Sequence, residues 1–157
     1  MRDVTRAAAA VICDPEGRVL LVQQSSGRRC WGLPGAPIGP RDLPVTAVVR
    51  EVRRETGMEI RVVDLLGLYH LTGELAGDQE DLPDVLTYAF RCEPVSGEPV
   101  LNGRGRIGNL GWYGPPALPA ETTATAQAAV RDCQAGISGV VRGLSRADAP
   151  GFSAIPA

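Results

Sequence analysis

The chain contains one histidine, His70. A multi-histidine metal site is therefore excluded, and a Ser-His-Asp triad has little support. The four cysteines, Cys13, Cys30, Cys92 and Cys133, stand far apart without a Cys-x-x-Cys pair. That spacing indicates neither a zinc site nor a dense disulfide framework, and a reducing cytoplasm is the expected location. The apolar run from Ala7 to Cys13 is too short for a membrane span and soon meets Asp14, Pro15, Glu16 and Gly17. A net charge of −2 offers no general attraction to nucleic acid or to an anionic membrane, so binding must come from a local site. Internal repeats, heptads and low-complexity tracts are absent as well.

At 157 residues, with 44% hydrophobic and 22% charged side chains, the chain suits one soluble globular domain. "TRAAAAVICD" and "RVLLVQQ" read as two strands joined by a turn. "SSGRRCWGLPG" is loop, with a short strand near Trp31. From Pro44 the pattern changes, because Val45, Val48, Val49 and Val52 take the i, i+3, i+4, i+7 spacing of an amphipathic helix. Asp42 or Leu43 lies near its start, and Gly57 supplies a left-handed stop. "EIRVVDLLGLYHL" and "DVLTYAFRC" read as strands separated by an acidic loop, and "NLGWYG" as a third. "ETTATAQAAVRDCQ" reads as a second helix ended by Gly136. The order of elements predicts an α/β fold, a sheet covered by helices on both sides. The domain is expected over residues 1–136. Residues 137–157, punctuated by Gly, Ser and Pro, read as a tail, either flexible or an arm in a homodimer.

Glu51 and Glu55 are one helical turn apart, which puts their Cβ atoms about 5 to 6 Å from each other on one face. Two carboxylates so placed can share a cation. Arg54 points nearly opposite the centre of the valine stripe. The plain alternative is a solvated face laced by pairs such as Glu51 with Arg54.

Together with the preceding "WGLPG", the stretch from Ala36 to Met58 resembles the Nudix box: a glycine, five residues, a glutamate, seven residues, then Arg-Glu-apolar-x-Glu-Glu-x-Gly-apolar. Anchored on Arg50-Glu51-Val52 and Glu55-Thr56-Gly57-Met58, the box puts its glycine at Ala36, its first glutamate at Asp42 and its penultimate glutamate at Arg54. The resemblance implies an α/β/α sandwich with a mixed β-sheet. It also implies hydrolysis of a phosphoanhydride in a nucleoside diphosphate derivative or related small phosphate. Glu51 and Glu55 would be both the catalytic residues and the ligands of Mg²⁺ or Mn²⁺. Gly35 and Gly57 would shape the motif, the backbone of Pro34 to Ala36 would line the site, and Arg50 would brace the loop through Asp42.

The box departs from the family pattern at three positions. Asp42 keeps the charge on a shorter arm. Ala36 adds a β-carbon, which penalises positive φ and crowds a close backbone approach. Arg54 replaces a metal-binding carboxylate with a positive charge. "RGRIGNLGWYGPPALP" also has Arg104, Arg106 and Asn109 where many relatives place acids, although its aromatic strand and Leu-Pro turn are similar to theirs.

Arg28, Arg29, Arg54, Arg104 and Arg106 are candidates for phosphate contact, since guanidinium forks match phosphate oxygens. Glu74, Asp78, Glu80, Asp81 and Asp84 form the acidic loop, either an exposed connection or the source of a replacement ligand or base. Trp31 and Trp112 read as core or cleft-wall aromatics, and His70 as a strand-end residue in an ordinary polar contact. The cysteines read as small buried hydrophobes, with Cys30 alone placed in a loop where it would react. Two other functions stay open: a Nudix-fold module binding a phosphorylated metabolite, in which Arg54 replaces the metal's charge, and a biosynthetic enzyme with metal-independent chemistry.

Overall fold

The computed structural model describes residues 3–73, 83–101 and 105–146. Among the described residues, eight strands form two sheets. They are β1 (Val4–Ile12), β2 (Val19–Gln24), β3 (Trp31–Gly32), β4 (Gly35–Pro37), β5 (Glu59–Thr72), β6 (Asp84–Ser96), β7 (Ile107–Tyr113) and β8 (Val140–Ser145). The larger sheet has the order β4-β1-β6-β5-β8 and the smaller β3-β2-β7. Pairing is mixed: β1 with β6 and β5 with β8 are parallel, and the other ladders are antiparallel. The helices are α1 (Pro44–Thr56) and α2 (Ala124–Gln134). None of the described helices is long and apolar enough to cross a membrane.

β1 explains the layering. Ala8, Ala10 and Ile12 enter one core cluster with Val48 and Val52 of α1, and Val11 enters another with Ala128, Ala129 and Val130 of α2. A strand buried on both faces loses the polar alternation of a half-exposed one, which is why "AAAAVI" is continuously apolar. In α1 the stripe narrows at its start: Val48 and Val52 are fully buried, whereas Val45 is exposed. The helix ends at Gly57, whose φ is 75° and whose N–H donates to the Arg53 carbonyl at 2.8 Å. A side chain at this left-handed position would be strained.

The expected tail needs correction. Val140–Ser145 is strand β8, registered along β5 from Gly67 with Val140 to Thr72 with Ser145. Arg142 on this strand makes two 2.7 Å hydrogen bonds to the buried Asp132 of α2. Arg146, 1% exposed, donates to the carbonyls of Gly73 and Pro83 at 2.6 Å each. The sheet therefore continues past residue 136. Residues 147–157 lie outside the described residues.

Candidate active site

The site begins where β4 folds back along β1. Ala9 pairs with Gly35, Ala8 with Ala36 and Ala7 with Pro37, and Ala10 N–H bonds the Pro34 carbonyl at 2.9 Å. This register brings the backbone of Pro34 to Pro37 against α1. A Cβ on Gly35 would overlap the Ala8 carbonyl oxygen and lie 2.8 Å from Ala9 Cα, so the close approach requires glycine. Ala36 behaves differently from expectation. It is an extended strand residue, and the only non-glycine with positive φ among the described residues is Arg29. Its β-carbon therefore meets no backbone penalty.

Glu51 and Glu55 both turn inward from α1 and are 7% and 9% exposed. Burial of two like charges one turn apart is costly unless a proton or a cation joins them. Glu55 Oε1 accepts a 3.3 Å hydrogen bond from Gly35 N–H. Burial, and next the Glu51 charge, push the Glu55 carboxyl up to about 7, against the opposing pull of Gly35 N–H, Arg106 and Arg54. Glu51 Oε2 is buried without a hydrogen-bond partner. Its nearest cation is Arg54 Nε at 3.6 Å, and Arg50 Nε is 3.8 Å from Oε1. An unpartnered carboxylate oxygen one helical turn from a second buried carboxyl fits a hard divalent cation, which takes oxygen ligands and is often held by one or two carboxylates. Among the described residues no group of three or more His, Cys, Asp or Glu is placed to hold a metal.

Glu55 opens onto a cavity of about 220 Å³ between the sheets, lined also by Gly35, Ala36, Gln24, Arg106 and Thr125. Arg106 is aimed by its neighbours. Its carbonyl accepts from Ser25 N–H at 2.7 Å, the Ser25 hydroxyl donates to the Gly105 carbonyl at 3.1 Å, and a Cβ on Gly108 would lie 2.8 Å from Ser25 Cα. The turn is thereby seated on the end of β2 with its guanidinium on the acid pair's side.

The other candidates scatter. Arg54 is exposed beside Glu51. Arg50 lies within 3.8 Å of both Asp42 and Glu51, while Asp42 also accepts from Gly39 N–H at 2.8 Å and so ties down the loop before α1. Arg28 and Arg29 are on an exposed turn outside the cavity lining. Asp84 begins β6, 3.4 Å from His70 Nε2. Arg104, Glu74, Asp78, Glu80 and Asp81 lie outside the described residues. Trp31 is buried against Tyr113, their ring centroids 5.2 Å apart. Cys30 is 2% exposed and burial pushes its thiol up to about 11, so the loop cysteine is sealed and protonated. Sequence reasoning missed the start of α2: Thr123 caps the helix through Ala126 N–H, and the buried Thr125 hydroxyl lacks a partner at the cavity wall. The threonines of "ETTATA" were the available signal, since Thr is a favoured cap.

The family profile described as NUDIX domain matches residues 3–133. The chain belongs to the Nudix family. Its mixed sheet between two helices is the Nudix sandwich. The Nudix chain is 31% identical over 91 residues to a MutT-like protein of Streptomyces ambofaciens, covering 58% of this chain and 53% of that one. It is 28% identical over 89 residues to an ADP-ribose pyrophosphatase of Methanocaldococcus jannaschii, covering 55% and 50%. The matches thus span about half the length of these curated relatives. The crystal structure of a MutT NUDIX hydrolase from Burkholderia pseudomallei superposes with a TM-score of 0.72 at 25% identity, covering 83% of this chain and 98% of that one.

Proposed function

We propose that the chain hydrolyses a phosphoanhydride bond in a nucleoside diphosphate derivative or related small phosphate, at a metal site reduced to Glu51 and Glu55. The observation that carries this reading is the buried acid pair, with Glu55 lining the cavity and Glu51 carrying an unpartnered oxygen one helical turn away. The relative named an ADP-ribose pyrophosphatase supports the substrate class.

Glu51 and Glu55 would hold Mg²⁺ or Mn²⁺. When bound, the ion neutralises phosphate charge and activates water for attack at phosphorus. The chain's own groups do the rest. Gly35 N–H fixes the Glu55 carboxylate. Glu51, whose Oε2 has no hydrogen-bond partner, would take the proton of the attacking water and return it to solvent. As the new P–O bond forms, the bridging bond breaks and the leaving phosphate keeps its electron pair. Arg106 faces that charge from the other sheet, where its guanidinium fork suits phosphate oxygens.

A second reading is favoured by one contact, Arg54 Nε at 3.6 Å from Glu51. There the cleft binds a phosphorylated metabolite without turnover, a guanidinium replacing the metal's charge. Release of phosphate, pyrophosphate and nucleotide from a panel of nucleoside diphosphate derivatives, measured with Mg²⁺, Mn²⁺ or chelator, separates the two. Metal-dependent turnover abolished by Glu55→Gln supports the hydrolase. Saturable binding that ignores chelator, without turnover, supports the binding module and ends the hydrolase reading.

A further inference from the structure

The first turn of α2 belongs to the cavity that Glu55 opens onto, since Thr123, Thr125 and Ala126 all line it. β3 fixes where that turn lies: Trp31 N–H donates to the Glu121 carbonyl, and Thr123 N–H to the Trp31 carbonyl, each at 2.9 Å. Thr123 Oγ1 accepts from Ala126 N–H at 3.2 Å, and Gln127 N–H closes the first intrahelical bond to the Thr123 carbonyl at 3.0 Å. The N–H groups of Ala124 and Thr125 precede that bond and have no acceptor within the helix.

Thr125 adds a third polar group. It is 5% exposed, and its hydroxyl has no hydrogen-bond partner. A helical threonine ordinarily donates its hydroxyl to the carbonyl three or four residues back. Here both of those carbonyls are engaged elsewhere, Glu121 by Trp31 N–H and Thr122 by Gln127 Nε2 at 2.7 Å. A buried hydroxyl left unmade is costly, and an atom bound in the cavity would remove that cost.

The chemistry of that atom follows from its surroundings. Two backbone donors at the positive end of a helix call for an acceptor, and the hydroxyl can donate to the same atom. A second anion is poorly served, because Arg106 is the only cation among the described residues that line the cavity and the phosphate already takes it. A neutral carbonyl oxygen needs donors but no counter-charge. Ala7, Ala9, Val22, Val85 and Ile107 supply apolar walls for the faces of a flat ring that carries it.

We propose that the first turn of α2, through Thr125 and the adjoining N–H groups, is a subsite for a carbonyl oxygen of the substrate's base, selecting keto-bearing over amino-bearing nucleotides. The inference rests on the proposed function for the placement of the phosphate at Glu55 and Arg106. An exocyclic amine in the same position would set its N–H groups against the helix donors and leave both sides unpaired. Inosine and adenosine make the comparison direct, since one has a carbonyl where the other has an amine.

The test is calorimetry of inosine monophosphate and adenosine monophosphate with the whole chain, in Mg²⁺ and in chelator. The inosine nucleotide should bind about tenfold more tightly, and Thr125→Val, which keeps the side-chain shape, should erase most of that preference by weakening the inosine nucleotide alone. Equal affinities in the wild type, an equal loss for both nucleotides in the variant, or no binding of either in both conditions would overturn the proposal. The unliganded protein gives an independent readout: valine removes an unpartnered hydroxyl, so the urea midpoint of Thr125→Val should match or exceed that of wild type. A lower midpoint would show that the fold itself uses the hydroxyl, and would also overturn the proposal. Kinetics separate the subsite from the reading beneath it. Metal-dependent turnover with equal kcat/KM for inosine and adenosine diphosphate ribose overturns the subsite and keeps the hydrolase, whereas inosine-selective binding without turnover keeps the subsite and ends the hydrolase reading.

Discussion

Glu55→Gln should make the metal-free protein more stable, and the gain should depend on pH. Moving a carboxyl from 4.5 to about 7 means that ionising it in place costs about 3 kcal/mol. The folded state holds this proton more tightly than the unfolded chain, so the associated stability is full below about pH 4.5 and is lost as pH rises through about 7. Glutamine cannot ionise, and its amide oxygen still accepts from Gly35 N–H. Urea denaturation with chelator should therefore favour the variant by about 3 kcal/mol near pH 8 and by less than about 1 kcal/mol near pH 5. Magnesium should narrow or reverse the difference at the higher pH, because a ligand at roughly a hundredfold its Kd adds about 2.7 kcal/mol to the protein that binds it. A variant less stable than wild type near pH 8, or one with the same advantage at both pH values, would refute the claim that the acid pair is strained by its own charge.

Arg54→Glu puts a carboxylate beside Glu51 in place of a guanidinium and should tighten Mg²⁺ binding by roughly tenfold, about 1.4 kcal/mol. Unchanged affinity by calorimetry would count against the register of the box. Gly35→Ala drives a methyl group into the Ala8 carbonyl and displaces the N–H that holds Glu55. Stability should fall by about 1 to 3 kcal/mol, and turnover with it, whereas a wild-type urea midpoint would contradict the close packing. Asp132 accepts from the Tyr69 hydroxyl at 2.9 Å and twice from Arg142, joining α2 to β5 and β8. Asp132→Ala strands a buried hydroxyl and should cost about 1 to 3 kcal/mol in denaturant, while an unshifted midpoint would show that β8 is held by its ladder alone.

α1 was legible because its information is local: the valine spacing and Gly57 specify a helix, and the helix alone sets Glu51 and Glu55 on one face. Their burial was not legible. A solvated face and a buried pair have the same spacing, and the difference comes from β4 laid over the helix by its ladder to β1. β8 escaped notice because "VVRGLS" is short, contains Gly143 and pairs in parallel with a strand about seventy residues earlier. Among the arginines, Arg28 and Arg106 both stand next to turn residues. What separates them is the Ser25 contact that seats one turn on β2, a long-range relation invisible in composition. Cys30 shows that a loop position does not mean exposure, since burial depends on what covers a residue.

The acids ride on a helix packed against the five-stranded sheet, whereas Arg106 is carried by the turn leading into the three-stranded one. A phosphate held through a cation by the acids and directly by Arg106 would act as a rivet through the two leaves of the molecule. Occupancy would then be written into amide exchange, slowing it in β7 and β4 together, at distances from the bound group where no atom of the ligand reaches.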